Sequence, residues 1–443
     1  MPKYFEWTVG CQMNKADSEE LANILEARGY DRTLSVEAAD LIFLNSCSVR
    51  QNAENRIIGK LGEMVNVKRK RPDARLILTG CMVGDDTMDV LPKRFPFVDL
   101  FLRPADVDGF QDFLDEGDAL EVPTKPRSMG VSSFVNVIRG CDKFCTYCIV
   151  PYRRGPEISR PLPDIVVEVE ELVRQGSKEI TLLGQTVDSY GKDFPGGRPD
   201  LADIFYAIHD VEGLKRIRFM TSYPADMTPR IIQAVADLPK VCEHVHLPCQ
   251  AGDDETLRRM HRTYSSSYYR ELIGRVRDTV PNVAISTDVI VGFPGETDEQ
   301  FRNTYRLLED LRLDTVHVAC YSVRPGTEAA RSMADDVPQE VKKARLKEIE
   351  ALQERVLGEI SEALLGREVQ VLVEDDASKV NRTGAPQWRG RTRQNKLMYF
   401  PVGDRDLRGE EVNVRVERVS PWALQGELRP ASVSSAGTPT RVA

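Results

Sequence analysis

Three cysteines stand close together as Cys141, Cys145 and Cys148, in the run Arg139-Gly140-Cys141-Asp142-Lys143-Phe144-Cys145-Thr146-Tyr147-Cys148. Thiolates are soft ligands, and this C-x3-C-x2-C spacing can wrap one corner of an iron–sulfur cube. A 4Fe–4S cluster usually takes four cysteines, so three leave one iron open to a small molecule. A zinc site would more often show two C-x2-C pairs, or cysteines with histidines at set spacing. No nearby histidine completes one here.

A second set of cysteines emerges only from the elements that carry it. Residues 1–115 alternate strand and helix. Residues 3–9, 41–44 and 76–78 have the length and apolar character of strands. Residues 17–28 read as a helix, with Leu21, Ile24 and Leu25 on one face and Gly29 as its stop; another runs near 52–67 and ends in Lys68-Arg69-Lys70-Arg71 and Pro72. This βαβ alternation implies a parallel, Rossmann-like sheet. Cys11 follows the first strand, Cys47 the second and Cys81 the third. Parallel strands place their carboxyl ends on one edge, where open α/β sheets bind ligands, so these distant cysteines are expected to converge. The alternative is three small buried thiols, a common fate of cysteine. Their shared position after a strand, each near a Gly or Asn, favours a second cluster site.

The rest of the chain supplies the other positioning elements. Residues 115–130 read as a linker. From 133 the alternation restarts, with strands expected at 134–138, 179–183, 216–220, 244–247, 284–291 and 315–321, and helical patterns at 165–174, 231–238, 269–280 and 299–311. Six β/α units are too few for a closed eight-unit barrel, so a partial (β/α)6 barrel is expected over 133–335, with the C-x3-C-x2-C just past its first strand on the face where such barrels do chemistry. Residues 337–365 form a bracing helix, with Val341, Leu346, Ile349, Leu352, Val356, Ile360 and Leu364 near helical spacing. From 366 to 430 the period becomes two, at Val369, Val371, Val373 and at Val412, Val414, Val416, with turns at Pro401, Gly403 and Gly409; this predicts a small antiparallel β-barrel. The tail 431–443 has the composition of a disordered segment.

Composition sets the compartment and bounds the partners. The chain has 443 residues and nine cysteines; its opening, charged at Lys3 and Glu6, is not expected to act as a secretory leader, and no apolar run approaches the ~20 residues of a membrane span. A cytoplasmic location without membrane contact is expected, with cysteines that bind metal rather than form disulfides. Net charge is −9, so any nucleic-acid contact must use a local basic surface.

Several motifs now point to a family. Thr8-Val9-Gly10-Cys11-Gln12-Met13-Asn14 with Asp17-Ser18-Glu19, Leu44-Asn45-Ser46-Cys47-Ser48-Val49-Arg50, and Thr79-Gly80-Cys81-Met82 resemble the methylthiotransferases. So do the run from Gly140 to Arg160, Leu183-Gly184-Gln185, Thr221-Ser222-Tyr223-Pro224, His246-Leu247-Pro248, Val291-Gly292-Phe293-Pro294-Gly295-Glu296-Thr297 and Arg324-Pro325-Gly326-Thr327. Gly390-Arg391-Thr392, Asn395-Lys396 and Phe400-Pro401 resemble a TRAM domain. The match runs in order along nearly the whole chain. It resembles the radical S-adenosylmethionine (SAM) branch, and the Gly-Cys-Gln-Met-Asn opening is most similar to the subgroup acting on isopentenylated tRNA. Thr186, Cys249 and Ala251 depart from the family's usual Asn, aliphatic residue and Ser.

The resemblance implies an enzyme with two 4Fe–4S clusters. Cys141, Cys145 and Cys148 would hold the cluster that cleaves SAM. Cys11, Cys47 and Cys81 would hold an auxiliary cluster carrying the sulfur to be inserted. The implied product is 2-methylthio-N6-isopentenyladenosine at position 37 of tRNA, beside the anticodon. The alternatives are methylthiolation of ribosomal protein S12 or of threonylcarbamoyl-adenosine in tRNA, and an iron–sulfur RNA sensor without turnover. Glu157, Gly184, Gln185 and Ser222 lie after strands or near the cluster loop and are SAM-contact candidates, as is Asp288 within its strand. No side-chain acid or base is assigned. Arg391, Arg393 and Lys396, among Trp388, Tyr399 and Phe400, suit RNA phosphate contacts and stacking. Expected partners are the tRNA anticodon stem-loop, an electron donor such as flavodoxin or ferredoxin, and an iron–sulfur carrier, for a monomeric enzyme. His244 and His246, alternating on one strand, read as barrel packing, and Cys242, Cys249 and Cys320 as packed thiols.

Overall fold

A computed structural model describes residues 1–47, 51–104, 106–115, 130–377 and 386–429. Ser48, Val49 and Arg50 of one quoted motif lie outside the described residues, as do the tail 431–443 and all of the expected linker except its two ends.

The first unit is a five-stranded sheet in the order Asp31–Arg32, Lys3–Thr8, Leu41–Ser46, Arg75–Gly80, Leu100–Leu102, every pair parallel. Leu41–Ser46 is central and buried along its whole length, as its unbroken apolar start requires. Helix Gln12–Ala27 covers one face through Leu21, Ala22 and Leu25. Helix Gln51–Lys70 covers the other through Ile57, Leu61 and Met64. The basic end of the latter helix is occupied by the protein itself. Lys68 donates to the carbonyls of Pro72 and Ala74 and pairs with Asp99, and Arg71 pairs with Asp40 at 2.7 Å.

Six parallel strands build the second unit as two half-sheets. One orders Ser132–Asn136, Glu179–Leu183 and Arg216–Phe219; the other orders His244–His246, Ala284–Val291 and Thr315–Cys320. A single parallel bridge between Ile217 and Val241 joins them into an open barrel. Alternate residues such as Val135, Leu182, Phe219, Val245 and Val289 pack outward against the helices in one large core. The first half-sheet's opposite face meets the N-terminal unit, where Phe134, Leu183 and Met220 pack against Met13 and Ala16 of helix Gln12–Ala27. Helix Gln339–Glu362 then runs along the last strand, burying Ile349, Leu352 and Val356.

The third unit is a closed barrel in the order Glu368–Ala377, Gln387–Thr392, Leu397–Pro401, Leu424–Leu428, Glu411–Val419. It is antiparallel except where Leu397–Pro401 meets Leu424–Leu428 in a short parallel pair. It docks on the amino ends of the larger barrel's strands. Arg218 is the principal clamp. It donates to the carbonyls of Arg393 (2.8 Å) and Thr392 (2.7 Å) and pairs with Glu179 at 2.7 Å, both side chains being almost fully buried. Arg216 adds Glu411 at 2.6 Å and the Arg391 carbonyl at 2.7 Å. Removing one partner of a buried pair leaves an uncompensated charge, which costs about 3–5 kcal/mol. Arg218→Ala is therefore expected to lower the urea midpoint and to expose the C-terminal module to limited proteolysis. Arg258→Ala, which breaks an exposed helical pair with Glu255, is expected to change neither.

Candidate functional site

Cys11, Cys47 and Cys81 follow the carboxyl ends of three neighbouring strands, Lys3–Thr8, Leu41–Ser46 and Arg75–Gly80. Two glycines let these ends close on each other. A Cβ on Gly10 would lie 2.9 Å from the Cys47 Cβ, and one on Gly80, at φ +93°, would lie 2.2 Å from the Ser46 carbonyl oxygen. Beneath them runs a buried polar network. Asn14 donates to Asn45 Oδ1 and the Ser46 carbonyl, both at 2.8 Å, and Asn45 donates back to the Asn14 carbonyl and to Ser18 Oγ. Ser46 Oγ donates to the Thr79 carbonyl at 2.6 Å. The Cys11 thiol donates to Asn14 Oδ1 at 3.3 Å. The Asn and Ser residues beside the cysteines thus fix the loops that carry them. Cys47 and Cys81 are buried, while the Cys11 residue as a whole keeps solvent contact. The protein packed around the Cys11 sulfur, then the neighbouring Cys81, raises its thiol.

Cys141, Cys145 and Cys148 occupy the loop after strand Ser132–Asn136 and the short strand Ile138–Arg139. Gly140 sits at φ +77°, and a Cβ there would come within 1.8 Å of the Pro156 carbonyl oxygen, so only glycine fits. The Cys141 N–H donates to the Gly155 carbonyl and the Cys148 N–H to the Cys145 carbonyl. Thr146 clamps the loop to the end of helix Asp254–Arg259, its N–H donating to the Met260 carbonyl and its hydroxyl to the Arg259 carbonyl. Burial pushes the Cys141 thiol up to about 11 and the Cys148 thiol up to about 12. Among the described residues no three Cys, His, Asp or Glu side chains converge as the ligands of one ion do. A cube spreads its ligands over separate irons, so each thiolate needs to reach only its own corner. Two all-cysteine donor sets with no histidine or carboxylate therefore suit iron–sulfur cubes better than single ions.

Arginines join the two sites. Arg154, six residues past Cys148, is almost fully buried, pairs with Asp17 at 2.6 Å and donates to the Cys81 thiol. Arg139 pairs with Glu20 at 2.8 Å, Arg153 pairs with Asp86, and Arg324 lies 4.0 Å from Glu54 with its charge felt at Cys47. Sequence reasoning quoted Arg153 and Arg154 within a motif but gave them no role. Their partners lie more than sixty residues away in the chain, and only the domain packing brings them together.

The SAM-contact candidates take different places. Gln185 Oε1 and Ser222 Oγ are buried beyond the carboxyl ends of strands Glu179–Leu183 and Arg216–Phe219, without a hydrogen-bond partner among the described residues. An unsatisfied buried polar atom costs about 1–3 kcal/mol, so these two atoms suit a bound polar ligand. Gly184 faces Ile138, whose methyl would be 2.4 Å from any Cβ, and so permits close approach. Glu157 accepts from the Thr186 hydroxyl at 2.9 Å and pairs with Lys143 at 3.4 Å. The unusual Thr186 thus holds a carboxylate beside the cluster loop. Asp288 sits mid-strand and accepts from His246 Nε2 at 3.2 Å, while His246 Nδ1 and His244 Nε2 both bond Ser286 Oγ. The two histidines are tied into that strand pair, as barrel packing requires. Cys249 and Ala251 are fully buried.

A charged network near Glu157 escaped the sequence reading. Lys143 pairs with Asp226 at 2.6 Å, and Lys192 and Ser189 also bond Asp226. Burial works to raise Asp226, but the hydrogen bonds from Lys143, Lys192 and Ser189 outweigh it and hold the carboxyl below its ordinary value. Asp188 behind it is raised well above the ordinary range by burial and then by Asp226, and it accepts from the Tyr223 N–H at 2.8 Å.

Arg391, Arg393 and Lys396 are brought together where the small barrel meets the larger one. Arg393 grips Glu243 at 2.7 Å and the Val241 carbonyl, Lys396 lies 3.4 Å from Asp314, and Arg391 pairs with Glu374 at 3.1 Å. Glu243 and Asp314 immediately precede strands His244–His246 and Thr315–Cys320. This loop is therefore an interdomain contact at the strands' amino ends, opposite the cluster loops. Carboxylates of the larger barrel, Glu243 and Asp314, engage Arg393 and Lys396, while Arg391 pairs within the small barrel with Glu374 of strand Glu368–Ala377. Trp388 and Phe400 are buried in the small barrel's core, not presented for stacking.

Comparison with known proteins agrees with this layout. The model described as "Uncharacterized protein family UPF0004" matches residues 3–103, "Radical SAM superfamily" matches 135–308 and "TRAM domain" matches 362–428. A protein of Dehalococcoides mccartyi (strain ATCC BAA-2266 / KCTC 15142 / 195) named tRNA-2-methylthio-N(6)-dimethylallyladenosine synthase is 47% identical over 97% of this chain and 99% of its own length. One of the same name from Roseiflexus sp. (strain RS-1) is 47% identical over 96% of this chain and 89% of its own. Among solved structures, the radical S-adenosylmethionine methyltransferase TsrM from Kitasatospora setae, with cobalamin and a 4Fe–4S cluster bound, superposes with a TM-score of 0.56. It is 14% identical and covers 74% of this chain and 77% of its own, which is a likeness of fold. No helix among the described residues is long and apolar enough to cross a membrane.

Proposed function

The chain belongs to the radical SAM tRNA methylthiotransferase family, and from that premise we propose that it methylthiolates C2 of N6-isopentenyladenosine at position 37 of tRNA. The observation that carries this reading is the ~47% identity to synthases of that name along nearly the whole chain, with a three-cysteine site in each of two domains. Cys141, Cys145 and Cys148 would hold a 4Fe–4S cluster with one iron left for SAM, and Cys11, Cys47 and Cys81 would hold a second cluster that would supply the inserted sulfur.

The adenine C2–H is neither acidic nor electrophilic enough for side-chain acid–base chemistry. When bound, the clusters and SAM supply the radical, the sulfur and the methyl group, which is cofactor chemistry that the protein positions. The chain's own residues place these groups. Gln185, Ser222 and Glu157 would orient SAM over the cluster loop, and Gly184 lets the strand that carries Gln185 pack closely on Ile138. Asp288 borders the same space through His246. Arg154 ties the sulfur-bearing edge of the N-terminal sheet to the SAM-bearing loop, so the sulfur and the radical act on one substrate position. A low-potential donor such as flavodoxin or ferredoxin supplies electrons, an iron–sulfur carrier loads the clusters, and the enzyme acts as a cytoplasmic monomer.

The test is mass spectrometry of tRNA nucleosides and ribosomal proteins from cells lacking this protein. N6-isopentenyladenosine should accumulate without its methylthio group, while ribosomal protein S12 and threonylcarbamoyl-adenosine keep their usual masses. A mass change confined to either of the latter would reassign the substrate.

A further inference from the structure

Arg262 lies outside every motif that the function absorbs, yet its guanidinium reaches a cluster ligand. Its three nitrogens have separate tasks. Nη2 donates to the Pro248 carbonyl at 2.7 Å, Nε donates to the Tyr264 hydroxyl at 2.8 Å, and Nη1 points at Cys145 Sγ at 3.4 Å. The Tyr264 hydroxyl in turn donates to the carbonyls of Pro248 and Cys249, each at 3.1 Å. The guanidinium also lies over two rings, 4.6 Å from the Tyr223 centroid and 5.1 Å from that of Tyr264. Two of its three arms are thus fixed by groups that belong to the barrel rather than to the cluster loop. The third is held toward the sulfur without further reorganisation.

We propose that Arg262 is a positioning residue that donates a charge-assisted hydrogen bond to the Cys145 thiolate and so raises the reduction potential of the SAM-cleaving cluster. This rests on the reading that Cys141, Cys145 and Cys148 hold a 4Fe–4S cluster. Hydrogen bonds to cluster sulfurs and local charge are among the levers that set such potentials. A reduced cluster carries one more negative charge, partly on its ligand sulfurs. A fixed cation donating to one of them stabilises the reduced form more than the oxidised form. Arginine suits this task because it stays protonated and presents several donors in a rigid fork. Lysine keeps the charge but cannot hold Pro248, Tyr264 and Cys145 at once. Sequence reading had no route to this contact, because Arg262 is 117 positions from Cys145.

The test is an EPR-monitored redox titration of the full-length protein after anaerobic reconstitution. It uses a background in which Cys11, Cys47 and Cys81 are alanine, so that only one cluster contributes. Iron and sulfide content report separately whether the cluster is present, which keeps a failed cluster assignment distinct from a failed role for Arg262. Arg262→Gln should keep about four irons and titrate at a more negative potential than the parent, with slower SAM cleavage at a fixed mild reductant. Arg262→Lys should fall between the two. A fully loaded Gln or Lys variant with the parent's potential would overturn the proposal. Loss of the cluster from both variants, with the fold intact by circular dichroism, would also overturn it in favour of a purely structural contact.

Discussion

Changing Cys141, Cys145 or Cys148 to alanine is expected to abolish reductive cleavage of SAM and to lower bound iron from about eight to about four per chain. The three thiolates would each hold one iron of a 4Fe–4S cluster and would leave the fourth free for SAM. Losing one would remove a ligand the cluster needs. The loss should be complete rather than partial, because no spare ligand is at hand. The remaining cysteines of the barrel, Cys242, Cys249 and Cys320, sit in or against its hydrophobic core rather than on the loop. The assay is 5′-deoxyadenosine formation under dithionite, with iron and sulfide analysis of the same preparation. A Cys145→Ala protein that still forms 5′-deoxyadenosine at the parent's rate would remove this triad from the chemistry.

Changing Cys11, Cys47 or Cys81 is expected to separate the two halves of the reaction. SAM cleavage should survive, since the radical site keeps its loop, its glycine at 140 and its clamp through Thr146. Methylthiolation should fall below detection, because the sulfur source is lost. Cys47 is the cleanest choice. It is buried against Gly10 on the central strand's exit, and its removal leaves the Arg154–Asp17 bridge in place. Cys81 is less clean because its thiol also accepts from Arg154. If Cys47→Ala still methylthiolates tRNA at the normal rate, sulfur comes from elsewhere.

Much of the scaffold could be read from the sequence because its signals are local. Apolar runs of strand length at 179–183 and 284–291 match strands Glu179–Leu183 and Ala284–Val291, and the period-two pattern after 366 matches the small closed barrel. The placement of Cys11, Cys47 and Cys81 at one edge of the sheet is legible from topology alone, since adjacent parallel strands share that edge. What the sequence did not disclose is what happens between units. Arg391, Arg393 and Lys396 looked like a phosphate-binding set because charge beside aromatics has the same composition at an RNA face and at a domain joint. The positions of Glu243 and Asp314 place Arg393 and Lys396 at such a joint. Arg154, Lys143 and Arg262 were missed for the same reason: their partners are distant in the chain. Expected and observed strand ends differ by a residue or two, where pairing rather than hydropathy sets the last hydrogen bond.

One measurement bears on the whole reading. Reconstituted full-length protein, SAM carrying a deuterated methyl group, a low-potential reductant and tRNA bearing N6-isopentenyladenosine are combined anaerobically, and the nucleosides are analysed by mass spectrometry. The expected product is 2-methylthio-N6-isopentenyladenosine containing the deuterated methyl group, formed together with 5′-deoxyadenosine and absent with the Cys47→Ala protein. Unchanged N6-isopentenyladenosine from a preparation shown to hold about eight irons and to cleave SAM would contradict it.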